Sequence, residues 1–80
     1  MARVRLFASA REAAGTGTDV IDGATVSEVL SSAERRYGQH FVDVLSTGNV
    51  GVNGDAVDRD HVVGPDDEVA VLPPVSGGST

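Results

Sequence analysis

Apolar and polar residues alternate from the first residues of the chain. Val4, Leu6 and Ala8 fall on one side of an extended segment, and Arg3, Arg5, Phe7 and Ser9 fall on the other. That period of two predicts a strand with one buried face. Glu12 to Gly17 carries Gly15, Thr16 and Gly17, a turn signal, and Thr18 to Asp22 reads as a second short strand built on Val20 and Ile21. Together the two segments predict a β-hairpin.

The period then lengthens. Thr25-Val26-Ser27-Glu28 sets a hydroxyl three positions before a glutamate, which is the spacing of a capping box. Val26, Val29, Leu30, Ala33 and Tyr37 follow at helical spacing, and Gly38 suits a left-handed C-cap. The pattern predicts a helix over residues 26–37 and a short further helical turn from His40 to Leu45. Asn49 to Asn53 is strand-like, Asn53-Gly54 is a strong turn dipeptide, and Ala56-Val57 pairs back weakly. Asp58 to Asp67 is polar, contains Gly64-Pro65 and reads mostly as loop. Glu68-Val69-Ala70-Val71-Leu72 is the last strand, stopped by Pro73-Pro74 because proline cannot donate to a ladder.

Strand, strand, helix, strand, short strand, strand describes an α+β domain of the β-grasp, ubiquitin-like kind. Its mixed sheet has about five strands and one main crossing helix. The first and last strands lie parallel at the centre, and the face away from the helix stays partly open. The domain spans residues 1–72, and residues 73–80 form a flexible C-terminal tail.

Composition narrows the function. Eighty residues hold one domain. There is no cysteine, which excludes a disulfide scaffold and any thiolate chemistry of the chain's own. A net charge of −6 argues against nucleic acid, which rewards clustered Lys and Arg. It reads as an acidic soluble surface, or as attraction to a basic partner. All six basic residues are arginine. Without lysine there is no Schiff-base catalysis and no lysine side chain to receive a conjugate. No apolar stretch has the length of a signal core or a membrane span, so a cytoplasmic location and no membrane contact are expected.

Most candidate chemistry dissolves on inspection. Ser, His and Asp are present without a nucleophile elbow. His40 and His61 lie far apart, fit no metal-ligand pattern such as H-E-x-x-H, and read as ordinary surface or loop residues. Asp66-Asp67-Glu68 reads as a solvated turn before a strand rather than a cation site. Gly15-x-Gly17 stands between two short strands and opens no helix, so it is not a phosphate loop.

The C-terminal segment is different. Gly77 and Gly78 follow a strand-stopping diproline. Lacking Cβ atoms, they let another protein's backbone and a reactive group approach closely. Extended, the segment from Pro73 to Gly78 reaches about 20 Å, enough to thread into another protein's active site. Taken alone, the same residues also fit an ordinary frayed terminus.

The run Asp67-Glu68-Val69-Ala70-Val71-Leu72-Pro73-Pro74-Val75-Ser76-Gly77-Gly78 resembles the C-terminus of the MoaD/ThiS family of sulfur carriers, closest to the small subunit of molybdopterin synthase. The start, Val4-Arg5-Leu6-Phe7-Ala8-Ser9-Ala10-Arg11-Glu12 followed by Gly15, is similar to the same family. The diproline favours the molybdopterin branch over the thiamine branch. The resemblance implies a non-catalytic carrier that binds no cofactor. An E1-like, ATP-dependent activating enzyme would adenylate the Gly78 carboxylate, and sulfur would replace AMP to give a terminal thiocarboxylate. Gly77, Ser76, Val75 and Pro74 would thread into the large subunit of the synthase, where the sulfur enters the pterin dithiolene. A carrier for cysteine, thiamine or secondary-metabolite synthesis, acting with another sulfur-using enzyme, and an interaction module that carries no sulfur are the alternatives.

Two features qualify that picture. Family members end at Gly-Gly, whereas Ser79 and Thr80 follow here. A tail-processing protease, residues added to the natural chain, or loss of carrier function would each account for them. The strand parities also place Phe7 and Leu72 together on the open face just before the tail, with Arg11 at its rim. An exposed apolar patch there suggests a partner surface.

Overall fold

The computed structural model describes residues 2–73. In chain order the elements are β1 (Ala2–Leu6), α1 (Ala8–Ala14), β2 (Thr18–Ile21), α2 (Val26–Tyr37), α3 (Gln39–Thr47), β3 (Asn49–Val52), β4 (Asp55–Ala56) and β5 (Glu68–Leu72). The strands form one sheet in the order β2-β1-β5-β3-β4. β1 and β5 run parallel at its centre, with Val4 beside Val69 and Leu6 beside Val71. β2 joins β1, and β3 joins β5, in antiparallel ladders. This is the expected β-grasp, closed by its last strand.

The core lies between the sheet and the helices. Val4, Leu6, Ile21, Val52, Val69 and Val71 of the sheet pack with Val26, Val29, Leu30 and Ala33 of α2 and with Phe41 and Leu45 of α3. Every buried residue among those described is apolar. The Tyr37 and Phe41 rings meet edge to face at 5.1 Å, tying α2 to α3.

The start of α2 shows how local sequence fixes the helix. Thr25 Oγ1 accepts from the Glu28 N–H at 3.2 Å, and Glu28 Oε1 accepts from the Ala24 N–H at 2.9 Å. The side chains of the capping box thus reach both ways. The remaining free N–H groups of the first turn donate to the loop before β5: Val26 to the His61 carbonyl at 2.9 Å and Ser27 to the Arg59 carbonyl at 2.8 Å. That polar loop, read from the sequence as mere connection, therefore serves as a lid on the helix N-terminus.

Three local expectations change. β1 and β2 do pair, but a helix connects them rather than a turn. Ala8, predicted to extend the strand, instead opens α1 with φ 51°, and Gly15 closes α1 in the left-handed conformation at φ 77°. Gly38 has the positive φ expected of it, 98°, but ψ is −170°. It cannot complete a left-handed cap because α3 begins at the next residue. The helical turn expected over 40–45 is a full helix over Gln39–Thr47.

Candidate functional site

The sheet face turned away from the helices carries the alternate residues of each strand. Across its middle run Thr18, Arg5, Ala70, Gly51 and Ala56, in that order by register. Below them stand Val20, Arg3 and Glu68. Ala70 and Gly51 are small, so the centre of the face is low.

Phe7 and Leu72 form the upper margin. The Phe7 N–H donates to the Val71 carbonyl at 3.2 Å, which carries the parallel register one step past β1 and sets Phe7 opposite Leu72. Both remain substantially exposed, Phe7 at 38% and Leu72 at 40%. The Arg5 guanidinium carbon lies 5.7 Å from the centre of the Phe7 ring, a cation–π distance that holds the ring against the sheet rather than free in solvent. Arg11 reaches the same place from α1. Arg5, Leu6, Phe7, Arg11, Gly17 and Thr18 line one depression of about 270 Å³. A Cβ at position 17 would stand 3.3 Å from Arg11 Nε, so Gly17 gives the arginine room to lie flat.

Leu72 is fixed from its other side. A Cβ on Gly48 would come within 2.7 Å of the Leu72 carbonyl oxygen. Gly48 adopts an extended φ of −90°, so glycine stands here for the close approach and not for its backbone freedom. Asn49 then pairs with Leu72 across the β3–β5 ladder. The last residue of β5 is therefore set by neighbours on both sides before the chain passes to Pro73.

Of the residues singled out from sequence, Phe7, Arg11 and Leu72 thus gather at one end of the open face. Pro74, Val75, Ser76, Gly77 and Gly78 lie outside the described residues. Sequence reasoning missed Arg5 and Val20, which share this face; Val20 is 46% exposed. Their parity with Arg3 and Phe7 was the available signal.

A separate concavity of about 570 Å³ is lined by Ala56, Val57, Asp58, Asp60 and His61, none of them at the Phe7–Leu72 margin. Among the described residues no group of three or more His, Asp or Glu side chains is arranged to hold a metal ion, and no helix is long and apolar enough to cross a membrane. Asp67 accepts from the Gly64 N–H and from the Asn53 side chain, and these bonds hold its carboxyl below the usual carboxylate range. The acidic run is thus tied into its own turn.

Comparison with known proteins places this geometry. Residues 4–78 match the sequence model of the ThiS family. Similar solved structures include small archaeal modifier protein 1 from Haloferax volcanii, at 32% identity and a TM-score of 0.76, covering 95% of this chain and 97% of that one. The protein of the same name from Methanosarcina acetivorans has 30% identity and a TM-score of 0.86, covering 96% and 95%. A candidate molybdopterin converting factor, subunit 1, from Pyrococcus furiosus has 27% identity and a TM-score of 0.78, covering 92% and 97%. No curated protein sequence matches the chain.

Proposed function

This chain belongs to the ThiS family of ubiquitin-like sulfur carriers, and from that premise we propose that it serves as the small, sulfur-donating subunit of a molybdopterin synthase. An ATP-dependent activating enzyme transfers AMP to the Gly78 carboxylate and releases pyrophosphate. A sulfur donor then displaces AMP and leaves a thiocarboxylate. The step is needed because a carboxylate is a poor electrophile, whereas an acyl-adenylate carries a good leaving group. The synthase's large subunit receives residues 74–78 and supplies the catalytic groups, while Phe7, Leu72 and Arg11 dock the carrier.

One observation carries this reading. The family match closes at Gly78, and the strand that leads towards it ends at Leu72 beside an exposed aromatic ring. The resemblance to the Pyrococcus furiosus protein supports the molybdopterin branch. In this reading Ser79 and Thr80 make the 80-residue chain a pro-form, and a processing protease exposes Gly78. The test incubates the 80-residue and 78-residue forms with the activating enzyme, ATP and a sulfur donor, followed by intact-mass measurement. The shorter form is expected to exchange one oxygen for sulfur, and the longer form is expected to stay unchanged. Sulfur on Thr80 would remove the need for processing, and inertness of both forms would end the carrier reading.

The two archaeal modifier proteins favour a second reading, in which the activated Gly78 acylates amines of other proteins. With no lysine of its own, the chain offers no side-chain amine for self-conjugation. Host extract supplied with ATP separates the two readings. A modifier yields a ladder of larger conjugates, whereas a dedicated carrier yields only the thiocarboxylate.

A further inference from the structure

β2 and β4 are the two edges of the sheet. A bare edge presents unpaired N–H and C=O groups that template another strand. β4 has only two residues, too few to be an effective template. β2 has four, three of them β-branched, and its edge is long enough to invite pairing.

That edge is not bare. In an antiparallel pair, successive residues alternate between bonding to the partner strand and pointing away from it. The Leu6 N–H donates to the Gly17 carbonyl at 2.9 Å, and the register carries that bonded phase to Val4·Asp19 and Ala2·Ile21. Thr18 and Val20 therefore direct their backbone groups outwards. All four groups meet side chains of this same chain. Thr16 Oγ1 accepts from the Thr18 N–H at 3.4 Å and donates to the Thr18 carbonyl at 2.9 Å. Asp19 Oδ1 accepts from the Val20 N–H at 2.8 Å, and Arg36 Nη1 donates to the Val20 carbonyl at 3.4 Å. The last two contacts belong to one clasp. The same Arg36 nitrogen lies 2.8 Å from Asp19 Oδ2, and the Tyr37 hydroxyl donates to that oxygen as well.

We propose that Thr16, Asp19 and Arg36 form an edge guard that keeps this protein monomeric, and that the strand they exclude is β2 of a second copy of the chain. The segment is self-complementary. Around a two-fold axis at residue 19, Thr18 of one copy faces Val20 of the other, and these are the two residues whose backbone groups point outwards. The exposed Val20 side chain would gain apolar cover in that pairing. The same register sets the two Asp19 carboxylates opposite each other, where like charges destabilise. Asp19 therefore opposes self-pairing twice, by occupying the Val20 N–H and by repulsion.

The guard is tested with the triple variant Thr16→Ala/Asp19→Ala/Arg36→Ala, which frees all four outward groups, in sedimentation velocity over a concentration series. Wild type is expected to sediment as a monomer throughout. The variant is expected to double its sedimenting mass with rising concentration, with amide exchange at Thr18 and Val20 slowing as it does. Adding Val20→Pro removes the outward N–H while sparing the ladder to β1, and is expected to restore the monomer. A folded triple variant that stays monomeric overturns the proposal. So does a dimer that survives Val20→Pro, since its contact then lies elsewhere. If the triple variant does not fold, Thr16→Val/Asp19→Thr/Arg36→Met removes the same contacts with side chains that favour strand and helix, and a monomer in that case is equally decisive.

Discussion

On the helix-covered face of the sheet, Val4, Leu6, Val52, Val69 and Val71 are at most 4% exposed. On the opposite face Phe7, Val20 and Leu72 are exposed by 38, 46 and 40%. Neighbouring residues fall into opposite sets: Leu6 is covered and Phe7 open, and Val71 is covered and Leu72 open. The covered face is aliphatic, and α2 and α3 fill the space over it. The open face mixes an aromatic ring, two arginines, a leucine and small residues. Burial on one side stabilises the domain at roughly 25 cal/mol per Å² of apolar surface. Exposure on the other side forgoes that gain, and the forgone burial is what a partner can recover. The covered face carries the folding, and under the proposed function the open face carries recognition.

Mutations that separate those tasks test the division. The largest stability effect is expected from Leu30→Ala on the covered side. Leu30 is fully buried, so its truncation leaves a cavity and should cost about 2–5 kcal/mol in denaturant titrations. Phe7→Ala should cost less stability than Leu30→Ala but should weaken docking to the activating enzyme or the synthase large subunit by ~2 kcal/mol or more. Calorimetry giving equal affinities for variant and wild type would take Phe7 out of the docking surface.

A smaller effect lies in the polar clasp between β2 and α2. The Tyr37 hydroxyl bond, with help from Arg36, holds the Asp19 carboxyl below its ordinary value of 3.8 despite some desolvation. A carboxyl depressed in the folded state adds stability above the unfolded value and loses it as the pH falls through the folded one. Wild-type melting temperature should therefore drop with acidification below about 3.8, and the drop should be shallower in Asp19→Asn. Asp67 keeps a residual slope in that variant because its own carboxyl is depressed too. Tyr37 acts at the other end of the scale. Desolvation, then its bond to Asp19, pushes it from 10.0 up to about 12, so its contribution is intact below 10 and fades between the two values. Tyr37→Phe should flatten that alkaline loss. The smallest stability effect is expected at Gly78→Ala, whose melting temperature should match wild type. Unfolding of that variant would make the tail part of the fold.

Periodic apolar residues made the backbone of this fold legible. The helix from Val26 to about Tyr37 and the strand from Glu68 to Leu72 were legible because each has an apolar period and a chemical stop. α1 was not, since Val4, Leu6 and Ala8 extend a strand parity into it. Ala10, Ala13 and Ala14, at helical spacing before Gly15, were the competing signal. Alanine is the strongest helix former yet a weak marker of a buried face. α3 was underestimated because Gly38 offers no capping side chain and both ends of the helix are polar. For the site, strand parity sufficed to pair Phe7 with Leu72. The union of Asp19 with Arg36 and Tyr37 was not readable. It joins residues 17 and 18 positions apart across two elements, and no local pattern encodes such a pairing.

The central β1–β5 pair is also the longest-range strand pairing in the sheet. The two strands are far apart in sequence, yet β5 pairs between β1 and β3. Without β5, both of those strands present raw edges. Long-range pairing of this kind slows folding, and during synthesis the N-terminal segments emerge first. The Phe7–Leu72 margin does not exist until that final strand is seated. Under the proposed function, a chain without that pairing would lack the docking margin, which would tie partner binding to completion of the sheet.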